Sequence, residues 1–194
     1  MGAMTNPKRG MRPVSSGRRR ADAVANRAKV VTAAREAFEA EGLGVSLDEI
    51  ARRAGVGAGT VHRHFATKAE LIDTVLAATV QELVVTAGSY ATAENAGEAL
   101  RAFLSHLVTE GAAAHDLAAR LRSGAGDVDA AVSGPVADLD RALTALLARA
   151  RDTGAVRDDL EDLDLPPIIA AAHAAYVHPA GGDRAMRMVL RALD

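Results

Sequence analysis

Apolar residues recur along most of this chain at spacings of three and four, which is the period of an amphipathic α-helix. The first stripe predicts a helix from about residue 21 to about residue 41. Its apolar positions are Val24, Ala28, Val31, Ala34 and Phe38. Gly42 and Gly44 come directly after it, and we expect both to supply the left-handed backbone that ends a helix.

A second helix is indicated by Ser46 and Glu49, which have the spacing of a capping box. In that motif the serine hydroxyl accepts from the backbone at the helix start, and the glutamate reaches back to the cap. Gly55 follows after about two turns, and we expect it to end the helix.

Residues 57–65 predict a third, shorter helix with two different faces. Val61 and Phe65 lie four residues apart and so point to one side, while small and polar residues occupy the others. Each glycine in so short a helix costs about 1 kcal/mol relative to alanine, so small side chains must be needed there. Small residues allow a close approach to a DNA groove. Two short helices separated by three residues predict a helix-turn-helix.

Thr67 and Glu70 form a second capping box, which predicts the start of a long helix. Lys68 lies in the first turn of that helix, where a positive charge is electrostatically unfavourable. A bound phosphate would remove the penalty, because the free N–H groups of a helix start attract anions. The alternative is a solvated lysine.

After Lys68 the chain is alanine-rich, and its apolar stripes predict helices throughout. The long helix that begins there is expected to join the two halves of the protein. Asn95 and Glu98 have the spacing that caps the next helix. A separate short helix is expected around residues 117–121.

Two prolines and two glycines mark the remaining helices. Pro135 is expected in the first turn of a helix, where its missing N–H costs nothing, and Gly154 ends that helix. Pro166 begins the next helix and Gly182 precedes the last. One face of these last two helices is nearly free of charge, so we expect them to pair with a second copy of the chain. The alternative is an intramolecular core.

Charge divides the chain into a basic and an acidic part. Residues 1–70 contain 13 Lys and Arg against 7 Asp and Glu, and residues 71–194 contain 10 against 18. Such a division is expected when one part meets a polyanion, because phosphate neutralisation supplies much of the affinity for nucleic acid. Residues 1–20 are expected to form a flexible basic arm that follows a phosphate backbone or enters a minor groove. A solubilising tail is the alternative.

Composition excludes several classes of chemistry. The chain has no cysteine, so disulfides, thiolate metal sites and cysteine nucleophiles are impossible. It has no His-x3-His spacing, nucleophile elbow, phosphate loop or dinucleotide fingerprint, so we expect no enzyme activity, catalytic residue, metal or cofactor. No apolar run is expected to approach the roughly 18 residues of a membrane span. We therefore expect a cytoplasmic protein without a membrane partner.

Residues 23–83 resemble the TetR family of transcriptional regulators. The matching motifs are Ala54-Gly55-Val56, Gly59-Thr60-Val61, His64-Phe65, Thr67-Lys68 and Glu70-Leu71. The resemblance implies an all-α, homodimeric repressor with an N-terminal three-helix helix-turn-helix domain at residues 21–68, its motif at 46–65. It also implies a C-terminal helical domain at residues 69–194 that binds an effector and dimerises. The implied partners are double-stranded operator DNA and an unknown small-molecule effector.

By position, the resemblance implies that eight residues contact DNA. They are Ser46, Ala58, Gly59, Thr60, His62, Arg63, His64 and Lys68. Arg63 is the best candidate for a base edge, because a guanidinium can pair with guanine O6 and N7; a solvated arginine is the alternative. Thr60 is expected on a thymine methyl or a phosphate. Lys68, Ser46 and His62 are expected to contact the DNA backbone.

Two positions depart from the family pattern. His62 stands where tyrosine is usual, and Gly57 stands where serine is common. A histidine gains charge when protonated, so operator binding is expected to strengthen at acidic pH.

Five residues are candidates for an effector pocket among the C-terminal helices, although each could instead be a packed or surface residue. They are Phe103, His106, His115, His173 and Tyr176. Because the chain has three Phe, two Tyr and no Trp, a modest aliphatic ligand is expected. The alternative function is a non-regulatory DNA-binding or helical small-molecule-binding protein that retains the motif.

Overall fold

The computed structural model describes residues 16–123 and 130–193, and gives side chains for residues 20–109 and 132–193. Within these ranges the chain forms α-helices and short 3-10 turns and no strand, so the predicted all-α class is confirmed. The helices are α1 (Ser16–Glu41), α2 (Leu47–Ala54), α3 (Ala58–His64), α4 (Lys68–Tyr90), α5 (Ala96–Ser123), α6 (Ala130–Asp152), α7 (Leu165–Val177) and α8 (Asp183–Leu190). The 3-10 turns are Gly42–Gly44, Asp162–Asp164 and Arg191–Leu193.

The first helix begins earlier than predicted. α1 starts at Ser16, so residues 16–20 are helical and the predicted flexible arm of residues 1–20 is too long by five residues. Three of those five residues are arginines, which are good helix formers and directly precede the apolar stripe. The rest of the predicted arm, residues 1–15, lies outside the described residues. Gly42 has the positive φ of 75° that ends α1, whereas Gly44 does not share it.

Local chemistry defines the ends of α2. The Ser46 hydroxyl accepts a hydrogen bond from the Glu49 backbone N–H at 3.2 Å, as predicted for the helix start. The second half of the predicted capping box is absent, because the Glu49 carboxylate accepts from Arg52 and Arg53 instead. Gly55 ends the helix with φ 66°, in the left-handed region that favours glycine.

The first three helices and the start of α4 enclose the N-terminal core. Its buried residues are Val30, Ala33, Ala34, Ala37, Phe38, Val45, Ile50, Ala51, Val61, Phe65, Leu71, Ile72, Val75, Leu76 and Val132. Leu71–Leu76 lie beyond the predicted domain boundary at residue 68, so α4 belongs to this core as well as to the body that follows. Val132 shows that the start of α6 reaches the same core.

The remaining helices enclose the C-terminal core. Its buried residues are Ala87, Ala96, Leu100, Phe103, Leu104, Val108, Leu143, Leu146, Leu147, Ala150, Val156, Leu160, Leu165, Ala172, Met186, Leu190 and Leu193. Ala87 comes from the end of α4, and Leu143–Ala150 come from α6. Both α4 and α6 therefore contribute to both cores, and they pack against each other between them.

Two predictions for the C-terminal helices were wrong and four were confirmed. Residues 117–121 do not form a separate helix, because α5 runs without a break to Ser123. Pro135 lies inside α6 and not in its first turn, since the helix already begins at Ala130. The cap of α5 is confirmed, with the Glu98 N–H donating to Asn95 Oδ1 at 3.0 Å. The other confirmed boundaries are Gly154 after α6, the prolines at the start of α7 and Gly182 before α8.

Helix α4 is long and apolar enough, by length and composition alone, to cross a membrane. Charged residues interrupt its apolar sequence, including Glu70 and Glu82. Seven of its apolar residues are buried within the chain, whereas Val85 is 70% exposed; the buried ones are Leu71, Ile72, Val75, Leu76, Val80, Leu83 and Ala87. A core helix has the same composition, and α4 occupies that place in the fold.

Candidate nucleic-acid interface

Helix α3 presents one face to the N-terminal core and the other to solvent. The side chains of Val61 and Phe65 are fully buried, as their four-residue spacing predicts. Ala58, Gly59, His62 and Arg63 are exposed, and Thr60 and His64 are half-buried. The outward face therefore combines small residues with potential hydrogen-bond donors and carries no acidic residue.

The turn before α3 and the residue after it fix the position of this helix. The Val56 N–H donates to the Ala51 carbonyl at 3.0 Å, which folds the turn back onto α2. At the other end, the Arg27 guanidinium carbon lies 5.0 Å from the centroid of the Phe65 ring. Arg27 also donates to the Thr74 hydroxyl at 3.3 Å. No sequence pattern indicated this residue, because its contacts join α1 to two distant segments.

Arg63, the predicted base-reading residue, lies along its own helix. Its Nε donates to the Gly59 carbonyl at 2.9 Å, and its Nη2 donates to the Thr60 hydroxyl at 3.2 Å. The side chain is exposed, so water can replace both bonds at little cost. A base contact requires the guanidinium to leave this position and extend away from α3.

His62 lies beside an acidic residue of α2. Its Nε2 is 3.7 Å from Asp48 Oδ1, and the two side chains are 55% and 76% exposed. The pair is an ion pair only when His62 is protonated. Asp48 belongs to the first turn of α2, where a carboxylate is favoured by the helix dipole, which gives it a structural reason to be there. A carboxylate on a DNA-facing edge repels phosphate unless a nearby positive charge compensates it.

Ser46 caps α2 and keeps a hydrogen-bond donor in reserve. Its oxygen accepts from the backbone of α2, and its hydroxyl hydrogen remains available to donate to a phosphate. Next to it, Glu49 accepts from Arg52 at 2.6 and 2.9 Å and from Arg53 at 2.8 Å. These hydrogen bonds, first Arg52 and then Arg53, lower the pKa of Glu49 to about 2. The two arginines are thus partly neutralised, and they add less positive charge than their number indicates.

Lys68 has an intramolecular partner. Its Nζ donates to the backbone carbonyl of Leu43, in the 3-10 turn that follows α1. The unfavourable charge at the start of α4 is also offset by Glu70, whose carboxylate accepts from the Ala66 N–H at 2.8 Å. The Thr67 hydroxyl accepts from the Glu70 N–H at 3.1 Å, as the capping box predicts. A phosphate at Lys68 stays a prediction, and it would have to share or replace the bond to Leu43.

Four of the five predicted pocket residues have described side chains, and these lie on α5 and α7. Phe103 is fully buried in the C-terminal core, with its ring centroid 5.7 Å from that of Tyr90. His173 is buried on α7, Tyr176 packs against the same core, and His106 is half-buried on α5. The side chain of His115 lies outside the described residues. Their role in ligand binding stays a prediction.

Three open clefts in the described part of the C-terminal half are lined by other residues. They have volumes of about 630, 310 and 340 Å³. Arg101 borders the first and the second, and Arg157 borders the first and the third. None of the five predicted pocket residues lines any of these three clefts.

Known proteins resemble both halves of this chain. Residues 30–75 match the family of bacterial regulatory proteins named tetR, and residues 95–194 match the C-terminal domain of SbtR-like transcriptional regulators. The HTH-type transcriptional regulator SrpR of Pseudomonas putida is 45% identical over 58 residues. That match covers 29% of this chain and 27% of SrpR, so the chain matches about a quarter of that relative's length.

Two solved structures are similar over nearly the whole chain. The TetR transcription regulatory protein from Mycobacterium vanbaalenii is 39% identical, with 90% of this chain and 98% of that chain covered and a TM-score of 0.71. The TetR transcriptional regulator SCO0520 from Streptomyces coelicolor is 31% identical, with coverages of 86% and 97% and a TM-score of 0.68. With the helix-turn-helix of α2 and α3 in place and both halves matched, the chain belongs to the TetR family of bacterial transcriptional regulators.

Proposed function

We propose that this chain is a ligand-responsive, sequence-specific repressor that binds a palindromic operator as a cytoplasmic homodimer and is released by a small molecule. The observation that carries the proposal is the geometry of α3. Val61 and Phe65 anchor this helix, and its outer face offers Gly59 for close approach and Arg63 for hydrogen bonding. An α-helix with such a face fits the major groove of B-DNA.

The proposed DNA contacts divide by chemistry. Arg63 reads a base edge after leaving its bonds to α3, and Ala58, Gly59 and Thr60 line the surface that approaches the bases. Ser46, His62, His64 and Lys68 hold the DNA backbone and position α3 without specifying sequence. Protonation of His62 turns its contact with Asp48 into an ion pair and removes the repulsion between that carboxylate and phosphate.

A second copy of the chain is proposed to cover α7 and α8. Most of α7 is apolar, yet among its residues only Leu165, Ala172 and His173 are buried. Val177 is 55% exposed at its end, and Met188 on α8 is 62% exposed. Pairing through these helices buries that surface and gives the two-fold axis that two recognition helices need on a palindrome.

Ligand release is proposed to act through α4 and α6, the helices that contribute to both cores. Arg35 on α1 donates to Glu82 on α4 at 2.6 Å, which adds a polar link to the apolar contacts. A ligand that binds better to the conformation with wrongly spaced recognition helices lowers operator affinity by the same coupling free energy.

Selection of genomic DNA fragments by the full-length chain tests this function. A repressor of this kind retains a few palindromic sites, whereas uniform coating of the fragments supports non-regulatory DNA binding and contradicts the proposal. On a selected site, Arg63→Ala should relax preference at one base pair by about 1–3 kcal/mol. Arg141→Ala, an exposed arginine on α6, is the charge-matched control and should change nothing.

Two further variants separate phosphate contacts from structural roles. Lys68→Ala should reduce the salt slope of operator binding by about one if Lys68 holds a phosphate. If Lys68→Ala lowers stability and leaves the salt slope unchanged, Lys68 has only the structural role of its hydrogen bond to Leu43. His62→Gln should lose the strengthening of operator binding from about pH 8 to pH 5.5 that histidine protonation predicts. An equal pH response in His62→Gln and wild type would exclude that role.

A further inference from the structure

A cleft between α5 and α8 concentrates positive charge in the acidic half of the chain. It has a volume of about 310 Å³ and is lined by Arg101, Ala102, Ser105, Arg187, Leu190 and Arg191. Three of these six residues are arginines, and none is acidic. Residues 71–194 contain 18 acidic residues, yet none of them is among the residues that line this cleft.

Other arginines in this half donate to an oxygen of the chain itself. The acceptors lie on Asp138 for Arg141, Tyr90 and Ala93 for Arg149, Leu160 for Arg151 and Asp159 for Arg157. Three described arginines have no hydrogen bond or ion pair of this kind: Arg184, which lies outside the cleft lining, and the cleft residues Arg187 and Arg191. The two cleft residues lie four residues apart, so both side chains project from one face across the junction of α8 and the final 3-10 turn. Two guanidinium groups so placed repel each other until an anion lies between them.

The rest of the cleft is suited to a small organic anion. Leu190 is almost fully buried and gives an apolar floor, and Ala102 leaves room beside it. Arg101 is held from the opposite side, where its Nη1 lies 3.4 Å from the Ala155 carbonyl. The segment that carries Ala155 packs tightly on α5, since a Cβ at Gly97 would lie 2.6 Å from the Ala155 Cβ. The wall that carries Arg101 is therefore closely packed.

We propose that this cleft binds a small amphipathic anion, with a phosphate or carboxylate head on Arg187 and Arg191 and a short apolar part over Leu190. Guanidinium groups bind both heads through paired charge-assisted hydrogen bonds. The cleft volume lies at the lower end of the range for small-molecule sites. The proposal rests on the proposed function in one respect: a ligand here would tie α8, a dimerisation helix, to α5, which packs against α4.

Isothermal titration calorimetry of the full chain tests the site with defined probes. Butyl phosphate and butyrate are the anionic probes, and they distinguish the two heads. Inorganic phosphate tests whether the apolar part contributes. Butanol and butylammonium are the neutral and cationic controls. Saturable binding of butyl phosphate or butyrate, with neither control binding, supports the proposal.

Matched variants of α8 locate the binding. Arg187→Gln and Arg191→Gln should each weaken the better anionic probe about tenfold, the loss expected for one charge-assisted hydrogen bond. Arg184→Gln removes the same charge one turn earlier, at an exposed residue outside the cleft lining, and should bind the probe as the wild type does. Arg187→Lys keeps the charge but not the paired geometry and should give an intermediate affinity.

The results separate this site from the function on which it rests. Equal probe affinity in Arg187→Gln, Arg191→Gln and wild type would overturn the proposal, and so would an equal loss in Arg184→Gln. Absence of binding by every anionic probe at millimolar concentration would overturn it as well. Operator binding of the same preparation is followed by fluorescence anisotropy. A chain that selects an operator but binds no anion retains the proposed function and loses only this site.

Discussion

The N-terminal and C-terminal cores of this chain are stabilised in different ways. Helices α2 and α3 have eight and seven residues, too few to be stable alone in water. Ser46 and Gly55 satisfy the ends of α2, whereas Gly57 gives α3 no side-chain cap and the buried anchor Phe65 holds that helix in place. Helices α5 and α6 have 28 and 23 residues and meet along rows of leucine and phenylalanine.

This difference indicates which positions of each region are most sensitive to mutation. In the N-terminal core, a single cap or turn residue decides whether a short helix forms and where its outer face points. In the C-terminal core, stability is distributed over many apolar contacts, and no single helix end is decisive. Helices α4 and α6 belong to both cores, so a change in one region reaches the other mainly through them.

Two fully buried phenylalanines give the most severe test of this comparison. Phe65→Ala and Phe103→Ala should each cost about 3–5 kcal/mol, because each leaves a cavity where an aromatic ring was buried. Phe65→Ala should raise hydrogen exchange in α2 and α3, leave α5 and α7 protected, and abolish operator binding. Phe103→Ala should instead raise exchange in α5 and α7.

Native-state hydrogen exchange of both variants decides whether the two cores unfold separately. Equal loss of protection in both regions for Phe65→Ala would contradict the comparison. It would mean that α4 and α6 couple the two cores into one cooperative unit.

Two glycines with the same backbone conformation provide a finer test. Gly55 ends α2 with φ 66° and Gly154 follows α6 with φ 63°, and a Cβ at either would have no atom within 4 Å. Replacement by alanine should therefore cost only the backbone term of about 1–2 kcal/mol at both sites, measured by urea denaturation. Gly55→Ala should also weaken operator binding, because it reorients α3. An equal effect of Gly154→Ala on operator affinity would show that stability alone controls binding.

Local chemistry explains which elements could be predicted from the sequence. A helix cap depends on backbone groups a few residues away in the sequence. The bounds of α2 and the start of α4 were therefore predicted correctly from Ser46, Gly55 and Thr67. The four-residue spacing of Val61 and Phe65 predicted the buried face of α3. Where only apolar periodicity was available, as around residues 117–121, the prediction divided one continuous helix into two.

Contacts between distant segments could not be predicted in this way. The bond from Lys68 to Leu43 joins residues 25 apart, and nothing around Lys68 indicates it. The approach of His62 to Asp48 depends on the angle between α2 and α3. Val132 joins the N-terminal core because the start of α6 packs beside the start of α4. Seven of the eight predicted DNA contacts thus lie on the predicted helix-turn-helix and Lys68 begins α4, while the intramolecular partners of these residues could be identified only from the three-dimensional structure.

Gly59 should separate stability from function within α3. A Cβ at Gly59 would meet no atom within 4 Å, so Gly59→Ala should stabilise the helix by about 0.5–1 kcal/mol. The same methyl group should weaken operator binding about tenfold if the backbone of α3 approaches the groove closely. Gly88→Ala is the matched control in α4, with equally free space, and should stabilise the chain without changing operator affinity. Unchanged operator affinity in Gly59→Ala would exclude the close approach.

The smallest expected effect is on the pH dependence of stability, in α2 and in the segment that follows α6. Hydrogen bonds from Arg52 and Arg53 lower the pKa of Glu49 from 4.5 to about 2, and the hydrogen bond from Arg157 lowers the pKa of Asp159. For Glu49, the lowered pKa means that the stabilisation is complete above the unfolded pKa of 4.5 and is lost as pH falls towards 2. The lowered pKa of Asp159 has the same sign, with stabilisation that is complete above its unfolded pKa of 3.8 and is lost at lower pH. Both side chains are solvent-accessible, so high salt should flatten the dependence.

Carboxyl NMR chemical shifts measure these titrations directly. Glu49 should titrate with a midpoint near 2, below that of an unpaired glutamate. Arg52→Gln should move the midpoint upward, because Arg52 gives the larger contribution. A midpoint near 4.5 in the wild-type chain would mean that the hydrogen bonds to Glu49 are not maintained in solution. The ends of α2 would then depend on Ser46 and Gly55 alone, and Glu49→Gln would leave the acid response of the N-terminal core unchanged.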